Sequence, residues 1–312
     1  MTAVAITLGD PRGIGPEVTA AAVRRFRAER PEISLRLLGP RQLDPGLGDY
    51  LDVGDWDGTE AGAGRVVGAA IRKAVELALA GEARAIVTAP IHKPALARAG
   101  LTATGHTEML QELTGVPAVG MLMAAETTEL GPPLRVLLAT THHALRDIPD
   151  LVTADLLVEQ ATLLRDGLRD GWRMPEPRLG LCALNPHASD GGLFGDEEER
   201  VYGPALRRLA AAGVSVIGPL PADTAFRRAL AGELDAVVAP YHDVGMAAFK
   251  TVAFGGGVNV TLGLPFVRTS PDHGTAFDIA GTGCADASSM LEALRLAVRL
   301  AENRFDTPVP AR

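Results

Sequence analysis

The sequence predicts an α/β protein built on parallel sheet, and three observations carry that expectation. Short apolar runs bounded by Gly or Pro recur at 85–90, 134–140, 179–186 and 234–240, as strands buried on both faces require. Aromatic residues make up only 4% of the chain while Ala, Val, Leu and Gly dominate, a composition that lets helices pack closely on such a sheet. At 312 residues, 47% of them hydrophobic, the chain exceeds what one core usually serves, so two domains are expected.

Taken in order, residues 4–8 form a first strand that breaks at GDPRGIGPE (9–17). Pro16 suits a first helical turn and Glu17 complements the helix dipole, so a helix follows through Arg27. Exposed amides at that turn could hold an anion, or the glycines could simply make a tight corner. No third glycine stands in register after Gly13 and Gly15, and no acidic residue closes a second strand at the right distance, so a Rossmann dinucleotide site is not supported. Residues 33–38 form a second strand, followed by an irregular stretch to Asp57 and an amphipathic helix from Gly62 to about Ala80. A strand at 85–90 leads to a helix near 93–99, and His106 and Thr107 open another, where they could meet an anionic substrate or merely cap the helix. Strands at 118–124 and 134–140 precede a long helix at 151–168. Beyond the strand at 179–186, residues 188–198 form a glycine-rich mobile loop whose acids cap a helix through Leu209. A short strand at 214–217, a helix at 224–230 capped by Asp223 and the strand at 234–240 come next. Residues 255–268 return the chain to sheet, 270–281 form a polar loop, and a helix at 288–302 closes the domain.

Composition narrows the function. A net charge of −8 without a basic run excludes a nucleic-acid surface, and an anionic small molecule would need a local cluster of Arg and Lys. Cys182 and Cys284 are the only cysteines and form no CxxC, which fits a reducing cytoplasm. The amino terminus lacks the basic and apolar regions of a secretory signal, and no run approaches a membrane span, so a cytoplasmic protein without membrane partners is expected.

Four of the expected strands end in a histidine: His92, His142, His187 and His242. Ligands of open parallel sheets bind outside the carboxyl ends of the strands, and the chain has only seven histidines to place there. Three imidazoles from separate loops leave a coordination position open, the pattern of a catalytic metal. His143, next to His142, is expected to point the other way. The stretch YHDVGMAAFK (241–250) adds Asp243 and Lys250 to the same neighbourhood.

Seven motifs in order, GDPRGIGPE, TAPIHK, GHTE, TTHHALRD, LNPHASDGGLFGDEE, YHDVGMAAFK and GVNVTLGLPFVRTSPDHGTAFDIAG, resemble the 4-hydroxythreonine-4-phosphate dehydrogenase family of vitamin B6 biosynthesis along nearly the whole chain. The closing HGTAFDIAG is similar to the adenosine-contacting loop of isocitrate and isopropylmalate dehydrogenases. The resemblance implies two α/β/α domains with a cleft between them, the first formed by 1–128 and 266–312 and the second by 129–265. It implies a homodimer with a shared active site, His142 and His187 coming from one chain and His242 from the other. It places the metal on His142, His187 and His242, with Zn²⁺ first and Mg²⁺ or Co²⁺ as alternatives. Substrate contacts fall on His106, Thr107, Lys250, Asn259 and Arg268, and the catalytic set on Lys250, Asp243 and Asp223. NAD, or NADP in its place, is expected against His273, Gly274 and Asp278. Arg12, Ala144, Val244 and Ala287 stand where Ala, Pro, Gln and Pro are usual, and none of these removes an expected ligand.

The implied reaction is oxidation of 4-phosphooxy-threonine and decarboxylation to 3-amino-2-oxopropyl phosphate. A divalent ion stabilises negative charge on the alcohol oxygen in both steps, and Arg268 can grip phosphate or carboxylate bidentately. Lys250 can bind an anion or relay a proton. Oxidation of 4-phospho-D-threonate or erythronate is the neighbouring alternative, with a phosphate-free diol a more distant one. A three-histidine metal hydrolase would need no nucleotide, and the HGTAFDIAG loop argues against it, as the intact ligands argue against a non-catalytic metabolite sensor.

Overall fold

The computed structural model describes residues 3–103 and 105–305. Along the chain, β1 (Ala3–Thr7), α1 (Gly15–Glu29), β2 (Ser34–Gly39), β3 (Tyr50–Asp52), α2 (Glu60–Leu79), β4 (Ala85–Thr88), α3 (Lys93–Arg98) and α4 (His106–Thr114) come first. Then follow β5 (Gly120–Ala125), β6 (Leu134–Leu138), α5 (Ile148–Leu151), α6 (Ala154–Trp172), β7 (Leu179–Cys182), α7 (Gly203–Ala211), β8 (Val216–Leu220), α8 (Ala222–Leu230), β9 (Ala236–Ala239) and α9 (His242–Ala253). The chain closes with β10 (Val258–Leu262), β11 (Val267–Pro271) and α10 (Ser288–Phe305). Two compact units result, Met1–Pro117 with Val258–Arg312, and Ala118–Gly257.

Strand pairing moves these boundaries from the expected 128/129 and 265/266. β5 runs antiparallel to β6 from Met121 opposite Leu138 to Ala125 opposite Leu134, so the second unit begins before β5. β10 runs antiparallel to β11, Thr261 opposite Arg268, so β10 belongs to the first unit. In the first unit the strand order is β3-β2-β1-β4-β11-β10, parallel from β3 to β11. In the second it is β5-β6-β9-β7-β8, with β6, β9, β7 and β8 parallel. The loops after β6, β9 and β7 therefore emerge at one edge of the second sheet, which is what a crevice at strand exits needs.

Helix ends follow local chemistry. Pro16 sits in the first turn of α1, and Thr59 and Thr153 cap α2 and α6 by accepting hydrogen bonds from Gly62 N at 2.9 Å and Leu156 N at 3.2 Å. β3 lies within the stretch expected to be irregular, where Asp49 O accepts from Leu37 N and extends the β2 edge.

The stretch opening at His242 is helix, not loop. Gly245, Phe249 and Ala253 are buried at four-residue intervals, the signature of one helical face. Phe249 is fully buried in a core with Leu134, Val136, Leu138 and Val237, a burial that contributes roughly 1.5–3 kcal/mol. Gly245 lets α9 approach β6 and β9, since a Cβ there would meet Leu138 Cδ2 at 2.5 Å and Ala239 Cβ at 3.0 Å. Among the described residues no helix is long and apolar enough to cross a membrane.

Candidate active site

In the second unit, the neighbouring strands β6 and β9 set two imidazoles side by side. The ladder between them continues past both strands, with Ala139 N donating to Ala239 O at 2.9 Å and Thr140 Oγ1 to Pro240 O at 2.7 Å. His142 and His242 follow within a few residues of these bonds, and their ring centroids lie 5.4 Å apart. A pocket of about 350 Å³ opens here, lined by both rings with Thr141, Tyr241 and Asp243. His143 lines it too, so the expectation that it turns away is corrected: the chain here is an irregular loop, not a strand whose neighbours alternate. Asp243 accepts from His242 Nδ1 at 2.8 Å. With that nitrogen engaged, Nε2 is the lone pair the ring can offer an ion, a carboxylate–histidine arrangement typical of metal sites. Burial first, then the charges of Cys182 and Asp243, raise the Tyr241 phenol above its usual value. The Cys182 thiol is pushed up to about 12 by burial and the charge of Asp223, which places Asp223 in the first turn of α8 within electrostatic reach of this edge.

His187 does not join the pair. Among the described residues no group of three His, Cys, Asp or Glu side chains is close enough to hold an ion. The chain leaving β7 turns along β8, Ala183 N donating to Leu220 O at 2.8 Å, and then enters a left-handed turn. His187, Ala188, Ser189 and Asp190 have φ of 52°, 53°, 69° and 44°, a conformation costing roughly 1–2 kcal/mol for each L-residue. His187 is exposed, as are Leu193 and Phe194 on the same loop. Within one chain His142 lies beside His242, and His187 stands apart from both. The residues still fit a divalent ion in kind, two imidazoles beside an open pocket with one oriented by a carboxylate, once a further donor is supplied. Lys250 lies two turns along α9 with its ammonium 5.6 Å from the Phe254 ring centroid, outside the residues that line the pocket.

The first unit holds an anion-seeking group. Arg268, on β11, is 2% exposed and donates to Thr261 Oγ1 at 2.9 Å and Thr88 Oγ1 at 2.7 Å. Both partners are neutral hydroxyls, presented by the strands on either side, and burial pushes the guanidinium down to about 10 against an opposing pull from Glu108. Arg268 Nε, His106 Nε2 and Asn259 Oδ1 are buried without hydrogen-bond partners. Orphaned polar atoms around a buried cation mark a place for a polar, anionic ligand. Thr107 stands beside His106 in the first turn of α4. Thr88 and Thr261 were not singled out by sequence; their signal, hydroxyls on otherwise apolar strands, is visible only once Arg268 is known to lie between them.

The imidazole of His106 is held well below 6.5 by burial and then by the charge of Arg268. A base with a depressed folded pKa contributes stability that is present above its unfolded value and lost as pH falls from there toward the folded value. Stability should therefore decline as pH drops below about 6.5, and His106→Gln should flatten that slope in denaturant titrations. Equal slopes in both proteins would refute this assignment.

His273 Nδ1 lies 3.0 Å from Gly274 O, and its Nε2 is buried without a partner. The loop beyond is tied to the glycine turn at 9–17: Thr275 O accepts from Ile14 N at 2.9 Å, and Gly281 N donates to Glu17 Oε1 at 3.3 Å. Gly13 is required there, because a Cβ would meet Thr275 O at 2.7 Å. Arg12 pairs bidentately with buried Asp10 and lies 5.0 Å from the Phe277 ring centroid. Gly274 and Asp278 are exposed on this loop, and His92, which also ends a strand, lies edge-on to Phe277 with centroids 5.1 Å apart instead of with the other histidines.

The fold is similar to that of isocitrate dehydrogenase from Methylococcus capsulatus, which superposes with a TM-score of 0.57 at 16% identity, covering 97% of this chain and 87% of that one. A family profile described as pyridoxal phosphate biosynthetic protein PdxA matches residues 19–297. The 4-hydroxythreonine-4-phosphate dehydrogenase of Chromobacterium violaceum is 43% identical, covering 96% of each chain. The crystal structure of 4-hydroxythreonine-4-phosphate dehydrogenase from Klebsiella pneumoniae has a TM-score of 0.85 at 35% identity, covering 96% of this chain and all of that one. The chain belongs to the PdxA family and is a dehydrogenase.

Proposed function

We propose that the chain oxidises 4-hydroxythreonine 4-phosphate with NAD and one divalent ion, and decarboxylates the product to 3-amino-2-oxopropyl phosphate. The observation that carries the substrate class is the buried Arg268, held by neutral hydroxyls among orphaned atoms of His106 and Asn259. A phosphate supplies the negative charge and the acceptors that this group lacks. The names of the relatives at about this level of identity support the choice of phosphorylated hydroxy-amino acid.

In this reading bound NAD would accept the hydride that the carbinol carbon gives up as the secondary hydroxyl loses its proton. The resulting β-keto acid then loses carbon dioxide, and the electron pair left behind takes up a proton. A bound divalent ion supplies Lewis-acid stabilisation of the negative charge on the substrate oxygen through both stages. His142, His187 and His242 would hold it, and Asp243 fixes the His242 tautomer. Lys250 is assigned the proton transfers on the strength of the family resemblance. Arg268, His106, Thr107 and Asn259 hold the phosphate, with His106 accepting no charge of its own at neutral pH. His273, Gly274 and Asp278 are assigned to NAD, for which the buried, unpartnered His273 Nε2 provides one polar contact.

The working unit is a homodimer, since one chain supplies an imidazole pair and leaves His187 exposed on a loop with Leu193 and Phe194. The deciding experiment is NADH formation over a panel of phosphorylated and dephosphorylated hydroxy acids with added Zn²⁺, Co²⁺ or Mg²⁺. Turnover confined to 4-phospho-D-threonate or erythronate would move the assignment to sugar-acid catabolism. Metal analysis accompanies it: His187→Ala should lose bound metal while keeping the unfolding transition of the metal-free wild type, because the residue lies on an exposed loop. Equal metal content in the two proteins would remove the metal from the reading.

A further inference from the structure

We propose that Glu198 is a positioning residue for His187: its buried carboxylate holds the left-handed turn that aims the imidazole. The inference rests on the reading of His187 as a metal ligand and deepens it. Glu198 is 6% exposed and opens a wide helical turn over Glu198–Tyr202, eleven residues beyond His187. It accepts from Leu184 N at 2.9 Å, Asn185 N at 2.8 Å and Asn185 Nδ2 at 2.8 Å, all before His187. It also accepts from Ser189 Oγ, two residues after. One carboxylate thus grips the chain on both sides of the exposed histidine. Burial alone would raise its pKa, yet the hydrogen bonds from Ser189 and Asn185 outweigh burial and hold it below the usual carboxylate range.

Four consecutive non-glycine residues with positive φ do not keep that conformation by local preference. Something outside the turn must over-determine it, and Glu198 makes the contacts that do so, helped by Glu197 Oε2 at 2.7 Å from Asn185 Nδ2. Because the His187 side chain is exposed, the backbone is what sets its direction. If the turn relaxes, the ring swings away from whatever it ligates, although the ring itself is untouched. This is the outer-layer support that ligating histidines commonly receive, delivered here through the backbone instead of through the ring nitrogen.

The test is a cobalt titration of the full-length protein, followed by visible absorption, with amide hydrogen exchange of residues 184–192 measured on the metal-free protein. Glu198→Gln keeps the shape but cannot accept from every donor that surrounds it. It should speed exchange across 184–192 and weaken Co²⁺ binding by about 10- to 100-fold, the loss typical of removing an outer-layer partner. The unfolding transition of the metal-free protein should change little. In a His187→Ala background the same substitution should cost no further affinity, whereas a general structural role would give additive losses. Unchanged Co²⁺ affinity in Glu198→Gln, or additive losses in the double variant, would overturn the proposal. If Glu198→Gln does not fold, Ser189→Ala removes one contact and should show the same two effects more weakly; no change in either overturns it. A wild-type protein that takes up no Co²⁺ defeats the metal reading itself, and the exchange measurement then still decides whether Glu198 holds the turn.

Discussion

Replacing Arg268 by Ala is expected to raise KM for the phosphorylated substrate by about 10²- to 10³-fold, with kcat changed far less. The size follows from the environment. A buried charge pair that loses one member typically costs 3–5 kcal/mol, because the other is left desolvated and unpaired, and each 1.4 kcal/mol is tenfold. In the free enzyme the guanidinium is held by Thr88 and Thr261 hydroxyls only weakly relative to a phosphate, so the substrate supplies most of its compensation. The loss is of binding common to ground and transition states, which is why KM carries it. Arg268→Lys should recover little, since an ammonium cannot reach both hydroxyls and present a second edge to the phosphate. A dephosphorylated analogue should show almost no change in KM on the same substitution. Equal shifts for the phosphorylated and dephosphorylated compounds would show that Arg268 acts on folding or on some other part of the substrate.

What could be read from the sequence followed from rules that act locally. Short apolar runs located the inner strands, and the rule that parallel sheets bind ligands at strand exits singled out His92, His142, His187 and His242, of which the geometry sets only His142 and His242 side by side. The helix from His242 was hidden because Tyr241, His242 and Asp243 look like a polar loop and Gly245 like a break. Gly245 is in fact demanded by Leu138, a contact between residues far apart in sequence. The turn at His187 was hidden for a similar reason: four consecutive non-glycine residues at positive φ exceed what the local leaning of His187 and Asp190 supplies, and the residue that holds them follows later in the chain. Arg268 was legible as a cation, but its burial between Thr88 and Thr261 depends on which strands flank β11. The unit boundaries were displaced for the same cause, since pairing partners, not composition, decide where a strand belongs.

Mixing inactive subunits should restore activity only in certain combinations, and the combinations identify which chain gives which histidine. If one chain supplies His142 and His242, whose rings lie 5.4 Å apart, and its partner supplies His187, then His142→Ala mixed with His187→Ala should recover activity. In such a mixed dimer one site carries both defects and the other carries neither. Random reassortment makes about half of the dimers mixed, so roughly a quarter of wild-type activity should return. His142→Ala mixed with His242→Ala should recover nothing, because each site keeps one damaged ring. The division implied by the family resemblance, His142 and His187 on one chain and His242 on the other, reverses these two results. The exposure of His187 together with Leu193 and Phe194 favours the first outcome, since a donor on an exposed loop can reach a second chain and apolar neighbours can be covered by it. Recovery in the His142 and His242 mixture alone would assign His242 to the partner and show that the ring pair of one chain is not a ligand pair. No recovery in either mixture, with mixed dimers demonstrated by mass, would show that each chain builds its site alone.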